Sequence, residues 1–234
     1  MSLYRLAKRV WWYPASTGGS IQGGVGVITG PEGSTVVDAG NSPRLARRIQ
    51  DAMVEAKLPP ARRVIYTHHH WDHVWGGCAW PDVEIIGHES GREAIASEAA
   101  VPWSHEYLTE QAEADPALAP GLRGRAIAMR DDDFDGFTVV PPTTTFTDRL
   151  DLPDGVEVRH VGGRHARDSS VVTVAGTGVI FLGDCFYPPP RHLRGDNDGP
   201  DLAMMRGLLA EGHKWYVDAH SEPRRRWRAK LMSR

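Results

Sequence analysis

The chain has 234 residues, 41% of them hydrophobic and 24% charged, with a formal net charge of −3. Such a balance gives no global reason to expect a nucleic-acid partner, and no apolar run approaches the ~20 residues that cross a bilayer. The start carries no signal-peptide core, so the expectation is a cytoplasmic protein with no membrane partner, and Cys78 and Cys185 are too few for a disulfide framework.

The first forty residues are β-rich. Val25 to Ile28 and Thr35 to Val37, separated by the turn Gly30-Pro31-Glu32-Gly33, predict an antiparallel hairpin. Ser42-Pro43 opens a helix in which Leu45, Ile49 and Met53 recur at helical spacing, and Pro59-Pro60 stops it. A strand at Val64 to Tyr66 then leads into Thr67-His68-His69-His70-Trp71-Asp72-His73. Val83 to Ile86 predicts another strand, followed by a helix over 90–100 and a mostly helical insertion around 101–136, which is either a wall over a site or an oligomer contact. Strands are expected again at 137–140, 144–146, 156–160, 170–175 and 179–182. Near the end, Arg224, Arg225, Arg226, Arg228 and Lys230 surround Trp227, which predicts a solvated final helix rather than a nucleic-acid patch. No Gly/Ser-rich linker divides the halves, which favours one domain over 1–234.

The pattern H-x-H-x-D-H places His68, His70, Asp72 and His73 within six residues. Imidazoles and a carboxylate are ligands that suit zinc and related divalent ions, and crowding them without an ion costs desolvation and repulsion. A purification tag would lie at a terminus, whereas this run is internal. Three more candidates follow strand-like segments: His165 in a glycine-rich turn after Val161, Asp184 in Gly183-Asp184-Cys185, and His220 after Val217. Each alone is more often an ordinary turn or hydrogen-bonded residue; their joint occurrence after the opening motif raises the odds of a shared site.

In these residues the chain resembles the metallo-β-lactamase fold superfamily, specifically hydrolases with a glyoxalase-II-like ligand set. The resemblance implies an α+β fold, the αββα four-layer sandwich of two mixed β-sheets flanked by helices. It also implies that His68, His70 and His165 bind one metal, that Asp72, His73 and His220 bind a second, and that Asp184 bridges them. Asp38 matches a position that supports the metal loop from behind, and His69 and Trp71 serve as spacers. The implied cofactors are two divalent ions, Zn²⁺ foremost with Fe or Mn as alternatives. The true β-lactamases of class B1 use cysteine where this chain has Asp184, with Cys185 one position off. The helical C-terminal domain of glyoxalase II is not expected, because fourteen residues follow His220.

Two such ions ~3.5–4 Å apart can hold a hydroxide between them and polarise a carbonyl. The expected activity is therefore a binuclear metal-dependent hydrolase cleaving an ester, lactone, thioester or amide of a small molecule, with Asp72 orienting the nucleophile and moving its proton. Tyr187 resembles a tyrosine that helps polarise the carbonyl in lactonases of the superfamily; packing on a backbone partner is the alternative. Arg164, Arg167, Arg191 and Arg194 are candidates for an anionic substrate group, or for ion pairs with Asp168, Asp196 or Asp198. Trp11, Trp12 and Tyr13 are candidates for a pocket lip or for core packing, and Trp71 and Trp75 for a pocket floor. The rival activities are a mononuclear-iron persulfide dioxygenase and a non-hydrolytic biosynthetic relative. The chain is expected as a monomer or homodimer.

Overall fold

The computed structural model describes residues 1–16, 21–130, 134–196 and 198–226. Seven strands form the first sheet: β1 (Tyr4–Ala7), β2 (Val10–Tyr13), β3 (Val25–Gly30), β4 (Gly33–Val37), β5 (Ala61–Ile65), β6 (Glu84–His88) and β7 (Thr144–Phe146), in that spatial order. The strands β1 to β4 pair antiparallel, and β4 to β7 pair parallel. The second sheet runs in the order β13 (Arg224–Arg225), β12 (Trp215–Asp218), β11 (Val179–Gly183), β10 (Ser170–Val174), β9 (Val156–His160), β8 (Arg149–Asp151), with β11 and β12 its parallel pair.

Side chains alternate across the pleat, so consecutive residues serve different layers. Val27, Val36, Val64 and Ile85 face the helical side, where Leu45, Ala46, Ile49 and Met53 of α1 (Pro43–Glu55) cover them. Their neighbours Ile28, Val37, Ile65 and Ile86 face the second sheet and meet Val158, Val172, Phe181 and Val217. On the far side Ile180, Leu182 and Tyr216 pack under Met205, Leu208 and Leu209 of the helix over Leu202–Ala210. The layers are thus helix, sheet, sheet, helix, the αββα sandwich that the resemblance implied.

The first helix starts as expected, with Ser42 accepting from Leu45 N at 3.3 Å and Pro43 inside the first turn. It is followed by α2 (Trp71–Val74), α3 (Glu89–Ala99), α4 (His105–Ala114), α5 (Ala119–Met129) and α6 (Leu202–Ala210), so the stretch expected as a helical insertion holds α4 and α5. Among the described residues no helix is long and apolar enough to cross a membrane.

Two expectations need correction. Residues 137–140 form no strand: two prolines follow, Val139 packs in the core, and Val140 O accepts from Tyr66 Oη at 3.1 Å. Of the two readings of Trp11, Trp12 and Tyr13, core packing holds: they lie on β2, with Trp12 packed between the sheets and Tyr13 on the α1 side. Arg224 and Arg225 are strand rather than helix, since Arg224 Nη1 reaches Asp218 Oδ2 at 3.0 Å and Arg225 lies 3.9 Å above the Trp215 ring. Trp227, Arg228 and Lys230 lie outside the described residues.

Candidate metal centre

All seven proposed ligands gather at one edge of the sandwich. Beyond β5 the chain turns through His68 and His70 into α2, whose first turn holds Asp72 and His73. His165 sits on the loop between β9 and β10, while the parallel pair β11 and β12 ends with Asp184 and His220 beside each other. The Ser170 N–H donates to Thr67 O at 2.8 Å, tying the second sheet to the loop after β5. Gly183, at φ 51°, fixes the turn before Asp184; a Cβ there would lie 2.5 Å from Thr67 Oγ1.

The ligand atoms form two groups, His68 with His70 and His165, and Asp72 with His73, Asp184 and His220, each with its atoms within 4.8 Å of one another. In the all-histidine group, His70 Nδ1 lies 3.0 Å from His68 Nε2 and 2.9 Å from His165 Nε2. One proton cannot serve three facing nitrogens, so a cation suits them. In the mixed group His220 Nε2 is 3.0 Å from Asp184 Oδ2 and 3.3 Å from Asp72 Oδ2. Asp184 Oδ2 also lies 3.4 Å from His165 Nε2, so this one carboxylate reaches both groups.

Partners behind the ligands choose their tautomers. Thr67 Oγ1 donates to Asp38 Oδ2 at 3.1 Å and is then left to accept from His68 Nδ1, also at 3.1 Å, which frees His68 Nε2 as a lone pair. His73 Nδ1 donates to Asp38 Oδ2 at 2.8 Å, and His165 Nδ1 donates to Pro188 O at 2.9 Å. Such outer bonds orient a metal-binding imidazole. Two buried atoms, His73 Nε2 and Asp184 Oδ1, have no hydrogen-bond partner. An unmatched lone-pair donor in each is what a divalent ion satisfies.

Electrostatics points the same way. Burial holds His68, His70 and His165 below the ordinary histidine range, with neighbouring imidazoles reinforcing it for the first two. Burial also opposes charge in the mixed group, but there opposite charges win. His73 and His220 hold the Asp72 and Asp184 carboxyls down; those carboxylates, with Asp38, hold His73 well above its usual value, and His220 is raised to about 10. These shifts run in the direction of positive charge beside the buried carboxylates, and a divalent ion would supply that charge without protons.

A cavity of about 630 Å³ opens onto both groups. Its wall includes Trp71 as expected, whereas Trp75 is fully buried behind it. The helical insertion supplies Ala117, Pro120, Gly121 and Arg125 to this wall. Arg125 bonds Glu98 at 2.9 Å and lies 5.2 Å from the Trp71 ring. Of the four candidate arginines only Arg191 lines the cavity. Arg164 is 3.8 Å from Asp201, and Arg167 and Arg194 donate to Ser90 O and Pro189 O, so the expected pairs with Asp168, Asp196 and Asp198 do not form.

Tyr187 is corrected too: it does not line the cavity, and its hydroxyl donates to Asp218 Oδ1 at 2.8 Å. Cys185 points away, buried against α6, where burial pushes its thiol up. His69 is more than a spacer, since it lines the cavity and bonds Asp168 at 2.7 Å. The sequence reading had also missed Glu98, Arg125 and Ile21 in the wall. No local motif marks them, because the packing of α3, of α5 and of the segment before β3 brings them there.

Comparison with solved structures gives the metallo-β-lactamase of Hirschia baltica, at TM-score 0.65 and 17% identity, covering 99% of this chain and 95% of that one. FIM-1 from Pseudomonas aeruginosa, in its mono-zinc form, gives 0.64 and 14% over 99% and 92%. The Erythrobacter litoralis metallo-β-lactamase gives 0.61 and 17% over 97% and 92%. At these identities the likeness is one of fold. A search of curated proteins returned no significant match. The family profile described as the metallo-β-lactamase superfamily matches residues 19–225. The chain belongs to the metallo-β-lactamase superfamily and, at that level, is a metal-dependent hydrolase.

Proposed function

We propose that this protein is a two-metal hydrolase of a small molecule, cleaving an ester, lactone, thioester or amide bond. The observation that carries the reading is Asp184 Oδ2, set between His165 Nε2 at 3.4 Å and His220 Nε2 at 3.0 Å so that it joins two donor groups. His68, His70 and His165 would hold one ion, Asp72, His73 and His220 the other, with Asp184 shared. The donor set suits Zn²⁺, the metal named for FIM-1. Bound there, the ions would supply an acidified water and a Lewis acid for the carbonyl.

The chain's own residues do the rest. Asp72 lines the cavity and uses Oδ2 toward His73 and His220, so its second oxygen is free to take the water's proton and return it to the leaving atom. Ile21 and Leu193, 39% and 66% exposed, give the cavity an apolar mouth that favours a substrate with an apolar body. Arg191 on the same wall suits an anionic substituent.

Metal quantification with a panel of lactone, thioester, β-lactam and phosphodiester tests the reading. Two divalent ions per chain and turnover of a carbonyl substrate are expected, with His70→Ala lowering kcat at least about 10²-fold. One iron per chain, oxygen consumption on a persulfide and no hydrolysis would overturn it.

A further inference from the structure

Beside the donor groups lies a histidine that neither of them uses. The His69 ring lines the cavity with its centroid 4.7 Å from that of His70, and its Nδ1 lies 2.7 Å from Asp168 Oδ1. Asp168 is buried at 2% exposure, on the loop that also carries His165. A carboxylate can only accept, so His69 Nδ1 is the donor and Nε2 is left on the opposite edge of the ring. Nε2 has no hydrogen-bond partner among the described residues. The arrangement is built in from behind: a Cβ on Gly91 of α3 would lie 2.1 Å from Asp168 Oδ2, so only glycine lets the helix backbone approach this closely. Burying a carboxylate to orient a ring that binds no metal costs desolvation, and the return is a fixed polar atom on the cavity wall.

We propose that His69, oriented by Asp168, anchors the substrate, with Nε2 accepting a hydrogen bond from a hydroxyl or N–H on the carbon next to the scissile carbonyl. The inference rests on the hydrolytic reading and narrows its substrates to esters, lactones, thioesters and amides that carry such a donor. Asp168 is the positioning residue and acts only through His69.

The test uses the metal-loaded full chain with the phenyl ester of mandelic acid, its α-methoxy counterpart, and mandelate as a binding probe. The wild type should prefer the hydroxy ester in kcat/KM by about tenfold, the worth of one hydrogen bond. His69→Phe keeps the ring, removes both nitrogens, and should bring that ratio to about one while the metal content stays at the wild-type value. Asp168→Asn should reduce the ratio, yet add nothing to His69→Phe in the double variant. Calorimetry should show mandelate binding about tenfold weaker in His69→Phe. A preference that survives in His69→Phe, a fall in its metal content, or equal mandelate binding by both proteins would overturn the proposal. If neither ester is cleaved but mandelate binding still falls, the anchor stands and the hydrolytic reading fails; turnover without preference does the reverse.

Discussion

Asp38 shows how much of the centre depends on a residue that binds no metal. Its backbone lies at φ 66°, a region that costs a non-glycine residue roughly 1–3 kcal/mol. What holds it there is its carboxylate, which accepts from Thr67 N at 2.8 Å, Thr67 Oγ1 at 3.1 Å and His73 Nδ1 at 2.8 Å. One side chain thus locks the loop that carries four candidate ligands. Asp38→Ala should weaken metal binding about 10–100-fold in competition with a chelating indicator; unchanged affinity would mean that the strained turn serves only the fold. His88 carries a second prediction. Its Nδ1 accepts from Ser90 N at the start of α3, its Nε2 donates to Thr147 O at 2.7 Å, and its ring stacks on His160 at 3.9 Å. Burial and His160 lower its pKa below the ordinary 6.5. The unfolded chain therefore takes up a proton that the folded chain refuses, so this contribution is complete above about pH 6.5 and is lost as pH falls toward the depressed folded value. The urea midpoint should drop less between pH 7 and 5 for His88→Asn than for the wild type, and equal drops would refute the assignment. Such outer roles were faintly legible at best, because Asp38 matched a pattern and His88 matched none.

Among the elements, the parallel pair β11 and β12 does most to assemble the site. Gly183 stands opposite Asp218 in its register, so the two strands end level and present Asp184 and His220 together. Asp218, buried at 3%, receives Tyr187 Oη at 2.8 Å, His220 N at 3.1 Å and Arg224 Nη1 at 3.0 Å, and it also bonds Ser221. It joins β13 to the ligand loop. Asp218→Ala strands a half-buried arginine and should lower unfolding free energy by about 3 kcal/mol in urea titration. Metal loading should fall with it, toward a single ion per chain; retention of two would separate the hub from the centre. Here the sequence was a partial guide. Apolar runs located β9 to β11, and capping and spacing located α1, since those signals are local. The strands β1, β2, β8 and β13 went unread: the first three carry charged or aromatic residues that suit several environments, and Arg224–Arg225 becomes strand through its contacts with Asp218 and Trp215, a pairing that a run of arginines does not announce.

For the whole molecule, the sandwich places candidate ligands from both sheets around one edge: His68, His70, Asp72 and His73 follow β5, while His165, Asp184 and His220 belong to the second sheet. Metal bound between them would stabilise the folded state by mass action. At a free concentration 100 times the dissociation constant this is about 2.7 kcal/mol, so chelation should lower Tm by roughly 5–10 °C for a chain of this size. A melt insensitive to chelator would mean that the site is not loaded. The layered architecture followed from the motif's resemblance rather than from periodicity, because alternation predicts strands but not which sheet each joins. Every strand of the first sheet precedes Thr147, and every strand of the second follows it. That ordering matters on the ribosome. Ninety-two positions separate His73 from His165, or about 5–18 s of synthesis at ordinary rates. Through that interval the nascent first half holds four of the seven candidate ligands and an uncovered face of Ile28, Val37, Ile65 and Ile86. Neither the candidate metal centre nor the core is complete until the second sheet emerges, so these are the seconds in which the growing chain most needs protection from aggregation.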